Sequence, residues 1–484
     1  MSNKIKSITN PKLKLEILKP EEVTKIHEST LQVIEKVGIR FPSKRSLQIW
    51  ADNGAKVDWD KMIVKASPSL IEKALKTAPE QYALGARNPD QNCMMDGNHV
   101  FLGTDGCGVE VIDINSGIKR TSQLKDVEEI SRIADATEEI GFHWVAVSAQ
   151  DKPANSRGLH EIKAVFENST KHVQTESIYH EKEAKTAIEM AIAITGSKEE
   201  LRKRPVLSLM QCTAPPLGHD GGSLDAALIA AEYGVPTGFM TMAANLTTGP
   251  ATLAGNLVVG NAEVIAATAL IQLAFPGAPV FYAAAQTASD LRNGAYTGGG
   301  PEDFLYGAAT NILSDFYHIP LSMGSFATGA KEPNWQAGLE NSLSTFMASV
   351  VMSDMLLGAG FLHGSRIWSY AEMMLDCEIF SIIHKMMEGI VINDDTLALD
   401  IIAQVGPGGT FLTQKHTRQH MRDVFLPQFM DRRPYSEWEV KKDNAPDWAL
   451  TKARNFLKTH HPVELDQNIS SELSRIISSH EKSY

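Results

Sequence analysis

The sequence predicts a parallel (β/α)8 barrel, preceded by a helical layer and followed by a mostly helical extension. Three observations carry that expectation. Between about residue 100 and residue 390, short apolar runs alternate with amphipathic stretches; the count reaches eight of each; and the runs lack the polar alternation of a one-sided antiparallel sheet, as strands covered by helices do. The divisions fall at 1–98 for the N-terminal layer, 99–395 for the barrel and 396–484 for the extension. A length of 484 residues suits one large domain with additions.

From residue 21 to about 80, EEVTKIHESTLQVIEKVG and SLIEKALKTA carry apolar residues at three and four spacing, which makes helices. HVFLGTDGCGVEVIDINSG then gives strand-like runs broken by glycines. Barrel strands are expected near 100–104, 142–148, 172–177, 205–210, 236–241, 279–283, 320–324 and 359–363. Helices are expected at about 124–139, 155–168, 181–196, 221–233, 251–274, 300–317, 335–357 and 370–390. Pro301 with Glu302 and Asp303 behind it is a helix start, with proline at the first position and acids at the positive end of the dipole. Ser369 and Glu372 have the spacing of a capping box that opens the last barrel helix. A doubly wound open sheet is the alternative; it asks for a phosphate-binding glycine fingerprint after the first strand, which GTDGCG does not supply.

Composition narrows the function classes. Charged residues make up 21% and hydrophobic ones 43%, the balance of an ordinary globular protein, and the net charge of −12 opposes the positive surface that nucleic acid requires. MSNKIKSITNPKLKLEILKP has no apolar core of signal-peptide length, and no apolar run of about 18 residues stands out as a membrane span. A cytoplasmic enzyme with neither nucleic acid nor membrane as partner is the expectation. Cys93, Cys107, Cys212 and Cys377 are too few and scattered for a disulfide framework and are expected as free thiols.

In such a barrel the reacting groups stand at the C-terminal strand ends. Those positions carry amides, hydroxyls and a few acids, among them Asp105, Glu176, Gln211, Gln286 and Ser325, then His363 and Arg366. They offer no lysine for a Schiff base, no pair of histidines with a carboxylate at metal spacing, and no cysteine beside a base. Cys212 follows the fourth strand and would suit a zinc-thiolate methyltransferase, but only His219 is near it in sequence, so no metal is expected. A site built this way binds and orients. Trp144, Tyr282, Phe326, Trp335, Trp368 and Tyr370 are either core packing or, if several converge, ring faces for a quaternary ammonium.

Several separate motifs carry a family resemblance: NLTTGPATLAGNLVVGNAEVIAATALIQLAFPGAPVFYAA, DLRNGAYTGGGPE, GAKEPNWQAGLE, SYAEMMLDCEIF, GPGGTFLTQKHT and FLPQFMDRRPYSEW. From about residue 20 to its end the chain resembles the trimethylamine methyltransferase superfamily, a methanogenesis-related family of TIM barrels. Its founding archaeal members use pyrrolysine to activate trimethylamine. This chain has only standard residues, the corresponding position being expected near Ser325 and Phe326. The resemblance therefore points to the non-pyrrolysine branch, whose members demethylate glycine betaine, proline betaine, carnitine or butyrobetaine. It implies methyl transfer to the Co(I) corrinoid of a separate cognate protein, with no tightly bound metal in this chain. On that reading Arg366 pairs the substrate carboxylate, and His363 adds a hydrogen bond or meets the corrinoid protein. Glu176, Gln211 and His363 position the substrate, and Gln286, Tyr282, Phe326, Trp335, Trp368 and Tyr370 complete its site. Arg366 paired with Glu372 and a buried barrel histidine are the structural alternatives, and Asp376 reads as structural. A homo-oligomer is expected. The competing functions are a zinc-thiol barrel methyltransferase and a binding scaffold without turnover.

Overall fold

The computed structural model describes residues 7–9, 17–106, 108–295, 298–326 and 328–483. Eight parallel strands close into a barrel: β1 (His99–Thr104), β2 (Ile140–Trp144), β3 (His172–Thr175), β4 (Leu207–Cys212), β5 (Thr237–Thr241), β6 (Val280–Ala284), β7 (Leu321–Gly324) and β8 (Met355–Ala359). Each pairs in parallel with the next, and β8 closes on β1 with Met355 opposite Phe101. Helices α1 (Leu124–Ala136), α2 (Arg157–Asn168), α3 (Glu181–Thr195), α4 (Gly221–Glu232), α5 (Leu253–Ala274), α6 (Pro301–Tyr317), α7 (Trp335–Val350) and α8 (Tyr370–Met387) follow the strands in turn.

Strand parity divides the core. Phe101, Phe142, Trp144, Met210, Met240, Phe281, Ala283, Met355 and Leu357 fill the barrel interior, while Val100, Leu102, Leu209, Phe239 and Tyr282 face the helices. Gly238 makes room for its neighbour's ring, since a Cβ there would stand 2.0 Å from the Phe281 ring. The hairpin Tyr82–Leu84 and Cys93–Met95 plugs the barrel, adding Leu84, Cys93 and Met95 to the interior cluster.

The eighth strand corrects the expectation of 359–363. The helix before it ends at Val350, not 357, because Met352 takes a left-handed φ of 64° and the chain turns there without a glycine to mark it. Phe361–Leu362 instead pairs antiparallel with Ile367–Ser369, and this hairpin joins Glu110–Ile112 and Lys119–Thr121 in a four-stranded sheet.

The N-terminal layer holds helices Pro20–Lys36, Lys44–Asp52 and Pro68–Leu75, with a small three-stranded sheet that the helical reading did not anticipate. Its helices pack over α5. That covering explains why α5 is long and apolar enough to cross a membrane by composition, a feature the sequence reading passed over: 78% of its most apolar window is buried inside the protein. After Met387 the chain makes a long excursion of short helices. It returns as α9 (Ala445–Thr459), packed on α8 and α1, and α10 (Gln467–Glu481), packed on α3 and α2.

Candidate functional site

A cavity of about 440 Å3 opens at the C-terminal ends of the strands, and all eight strands contribute to its wall. Asp105 follows β1; Trp144 and Cys212 end β2 and β4; Glu176 follows β3. Met240 and Met242 come from β5, Ala284 to Gln286 from β6, Met323 to Ser325 from β7, and Leu357 with Gly358 from β8. Asp303 and Phe304, in the first turn of α6, close one side. Gly364, Ser365 and Arg366 close the top.

The acids define the electrostatics. Burial pushes the Asp105 carboxyl up to about 6, against the hydrogen bonds from the Ser365 hydroxyl and the Gly106 amide, which is 2.9 Å away. Burial likewise raises Asp303 to about 6, although the Thr287 hydroxyl and the Gly300 amide, at 3.0 Å, donate to it. Glu176 is buried, with an oxygen 4.0 Å from the Cys212 sulfur. Both Glu176 and Asp105 join burial in driving the Cys212 thiol far above its ordinary range, so it is held as the protonated, poorly nucleophilic form. Against three acids the pocket sets one cation, Arg366, whose side chain is 61% exposed at the rim and lies 3.8 Å from Glu110. The remaining wall is soft and apolar, with Met240, Met242, Met323, Leu357 and Phe304. Three buried polar atoms of wall residues have no partner within hydrogen-bond distance among the described residues: Trp144 Nε1, a donor, and Gln286 Oε1 and Asp303 Oδ1, acceptors. The other end of Gln286 is fixed by donation from Nε2 to the Asn256 carbonyl at 2.7 Å.

The rim hairpin is held in a costly conformation. His363, Gly364 and Ser365 all have φ near +60°, and amides at the turn donate to the loop beyond β7, His363 to the Ala330 carbonyl at 2.7 Å and Gly364 to Thr328 at 2.9 Å. Beneath it, the Asn341 amide donates to both Glu372 (3.0 Å) and Asp376 (2.9 Å), and Asp376 accepts from the Gly360 amide at 2.8 Å. Burial raises both carboxyls, Glu372 to about 8 and Asp376 well beyond the usual carboxylate range, so the pair keeps a proton at neutral pH. Gly360, at φ +101°, lies where a Cβ would meet the Trp368 ring at 2.5 Å.

Of the residues expected to position or bind the substrate, Glu176, Gln286 and Arg366 line the cavity, and Gln211, Tyr282, Phe326, Trp335, His363, Trp368 and Tyr370 do not; the strand-end candidates Asp105, Cys212 and Ser325 and the ring candidate Trp144 line it as well. Gln211 and Tyr282 fail on parity. Each stands between two inward positions and therefore points outward, Gln211 donating to the Ile178 carbonyl at 3.2 Å and the Tyr282 hydroxyl to Asn261 at 3.2 Å. Phe326 is buried against Gly358 and Trp368 against Phe361, and the Tyr370 hydroxyl donates to Glu129 at 3.2 Å. Trp335 stands 79% exposed at the start of α7, away from the cavity. His363 is exposed at the tip of the rim hairpin. The aromatic cage is thus replaced by carboxylates and methionines, with Trp144 and Phe304 as the ring-bearing wall residues. Glu372 bonds Asn341 rather than Arg366, which corrects the alternative pairing. Asp303 was legible only as a helix-start acid, and Asp105 only as a strand-end acid.

The zinc reading asks Cys212 and His219 to meet. His219 is buried between the rings of Phe41 (centroids 5.0 Å apart) and Phe239 (5.7 Å), and it is not part of the cavity wall. Among the described residues, the group close enough to share an ion is Asp395, His416 and His420, on the excursion after α8. Cys93, Cys212 and Cys377 are free, and Cys107 lies outside the described residues.

Comparison with known proteins agrees with this architecture. The chain is 32% identical over 467 residues to a trimethylamine methyltransferase MttB of Desulfitobacterium hafniense strain DCB-2, covering 96% of this chain and 94% of that one. It is 32% identical over 467 residues to a glycine betaine methyltransferase of strain Y51 of the same species, covering 96% and 97%. The solved structure of the monomethylamine methyltransferase MtmB of Methanosarcina barkeri superposes with a TM-score of 0.52 at 11% identity over 92% of this chain and 93% of that one, a likeness of fold. The family profile described as trimethylamine methyltransferase (MTTB) matches residues 1–484, and the chain belongs to that family.

Proposed function

We propose that this protein takes a methyl group from a small quaternary amine, a betaine such as glycine betaine, proline betaine, carnitine or butyrobetaine, and delivers it to the corrinoid of a separate cytoplasmic protein. The observation that carries the reading is the cavity itself: the buried carboxyl groups of Asp105 and Glu176 with the half-buried Asp303, a methionine-rich wall, and, among the described residues, no group on it fit to attack a methyl carbon. A quaternary nitrogen leaves as a neutral tertiary amine and needs no proton, so the chain has no general acid to provide. The corrinoid supplies the nucleophile when it is present. A 440 Å3 cavity is on the scale of a small ligand and too small to enclose a corrinoid, which supports a carrier on another protein.

What the chain's own residues do is bind and orient. Asp105, Glu176 and Asp303 draw the cation to the strand ends, and the methionines pack its methyl groups. The Arg366 guanidinium at the rim pairs a substrate carboxylate. Orientation of this kind contributes up to about 7–11 kcal/mol in favourable cases. A second reading is favoured by the excess of acids: a quaternary amine without a carboxylate, for which Arg366 is dispensable.

The test mixes purified protein with cob(I)alamin, alone and on the corrinoid protein, and a panel of betaines, choline and trimethylamine. Methylcobalamin formation with a quaternary amine, read from the absorption spectrum, is expected. Binding without turnover would assign a scaffold instead, and turnover of trimethylamine alone would overturn the quaternary-amine assignment.

A further inference from the structure

The excursion between α8 and α9 carries a cluster of side chains that the methyl-transfer reading does not use. Asp395, His416 and His420 each bring a ligand atom to within 4.8 Å of the others. Local sequence builds the cluster. Lys415–His420 is a helix, so His416 and His420, four residues apart, stand on one face of it, with ring centroids 4.3 Å apart. Asp395 stands in the first turn of the helix Asp394–Leu397, where the Thr396 amide donates to the Asn393 side chain at 2.9 Å. His420 Nε2 is 3.1 Å from Asp395 Oδ2, and His416 Nε2 is 3.0 Å from the Asp395 carbonyl oxygen. The second ring nitrogen of His420, Nδ1, is 2.7 Å from Asp423 Oδ2.

We propose that Asp395, His416 and His420 bind a divalent transition-metal ion, zinc in the first instance, which clips the helix Asp394–Leu397 to the helix Lys415–His420. The donor set selects the ion: two imidazoles with one carboxylate suit zinc and its neighbours in the first transition row, whereas calcium and magnesium ask for shells of oxygen. The distances agree. Donors about 2.0–2.1 Å from a tetrahedral zinc stand about 3.3 Å from one another. His420 Nε2 and Asp395 Oδ2 are already at that separation. His416 has at most about 1.5 Å to close, which a half-buried side chain on a short helix covers by rotating. A metal-bound histidine commonly donates its other ring N–H to a carboxylate, which fixes its tautomer and orientation, and Asp423 is in place to accept it from His420. With both imidazoles neutral, the Asp395 and Asp423 carboxylates balance the charge of a dication. A plain ion pair would account for His420 between two acids, but it gives no use to the second ring, His416, set beside it at helix spacing.

The clip has something to hold. Helices Asp394–Leu397, Leu399–Val405 and Lys415–His420 bury no residue, and helices this short are not stable by themselves in water. Gly406 and Gly408, both at positive φ, turn the chain back between them. Asp395 and His416 are 21 positions apart, so an ion that joins them closes a loop and supplies the ordering that a buried core supplies elsewhere. None of the three ligands lines the cavity, and α8 carries the chain away from the strand ends, His384 Nε2 meeting the Ser7 carbonyl at 3.0 Å near its close. The ion is therefore structural, and the inference is independent of the methyltransferase reading.

The test reads metal rather than activity. Full-length protein, free of any affinity tag and stripped with a chelator, is titrated with zinc chloride in competition with a chromophoric chelator, and one zinc per chain is expected. Asp395→Asn, His416→Gln and His420→Gln should each weaken binding roughly 100-fold or more, and Asp423→Asn about 10- to 100-fold. Circular dichroism should stay unchanged, because none of these side chains is buried. The control His99→Gln removes a histidine–aspartate pair, His99 Nδ1 to Asp96 at 2.9 Å, and should bind zinc like wild type. Loading with cobalt(II) gives a readout that needs no variant: visible bands of a low-coordinate site with nitrogen and oxygen ligands, and no thiolate charge-transfer band. Hydrogen exchange of peptides spanning 393–423 should slow when zinc is added. A wild-type protein that takes up no stoichiometric zinc would reduce the cluster to ion pairs and overturn the proposal. Zinc affinity unaltered in His416→Gln and His420→Gln, a thiolate band that moves the ion to a cysteine such as Cys212, or exchange in 393–423 that ignores zinc would each overturn it as well.

Discussion

Asp105→Asn separates binding from chemistry in this site. Burial raises the wild-type carboxyl to about 6, so at pH 7.5 it is mostly ionised. A quaternary nitrogen about 5 Å away, at an effective dielectric constant near 20, gains about 3 kcal/mol from that charge. Glu176 and Asp303 remain in the variant and share the cation, so about 2–3 kcal/mol is lost, a 30- to 150-fold rise in the dissociation constant. The rate at saturation should not fall, and should rise if anything, because the positive charge disappears along the reaction and the carboxylate holds the bound substrate more tightly than the transition state. Isothermal calorimetry with the substrate, alongside kcat and KM for methylcobalamin formation, reads both quantities. The pH profile adds a signature. Asp105 and Asp303 both titrate near 6, so wild-type affinity below that pH should fall with a slope approaching two decades per unit, and in the variant approaching one. Affinity within threefold of wild type, or a kcat lowered tenfold at unchanged KM, would refute the assignment of Asp105 to the cation.

Arg366→Ala should raise KM for carboxylate-bearing betaines at least tenfold and leave choline nearly unaffected, as kinetics on the two substrates will show; equal losses would detach Arg366 from the carboxylate. Glu372→Gln removes a carboxyl whose folded pKa, about 8, stands above its unfolded value. Its favourable contribution is complete in acid and lost as pH rises through 8, so the variant should match wild type by thermal melting at pH 4.5 and melt several degrees higher at pH 9. Gly360→Ala puts a Cβ against Trp368 at a φ of +101° and should cost more than about 2 kcal/mol in denaturant unfolding.

What the sequence made legible, and what it did not, divides along physical lines. Seven strands and eight helices were readable because period and turn chemistry are local. The eighth strand slipped because MASVVMSDMLLGAGFL runs apolar without a glycine or proline at its turn, and Met352 makes the left-handed step instead. The site was legible as a set of strand-end positions but not as a set of side chains. Parity along a strand buried on both faces leaves no polar alternation to read, which is how Gln211 and Tyr282 were placed on the wrong side of their own strands. The aromatic cage misled for a related reason: Phe326, Trp368 and Tyr370 are conspicuous in the sequence because they are large, and large rings near a strained turn are most often what holds the turn. Asp303 was hidden by having two uses at once. As the third residue of α6 it accepts the Gly300 amide, a sufficient local reason for an acid there, and the fold then turns the same carboxyl toward the cavity. In this barrel one acid caps a helix and faces the site, and another, Asp376, holds the rim hairpin by the Gly360 amide. The charge that draws a cation and the scaffold that shapes its pocket are thus both built from buried carboxyl groups, and acidification should weaken substrate binding without loosening the rim, whose carboxyls burial already favours in the protonated form.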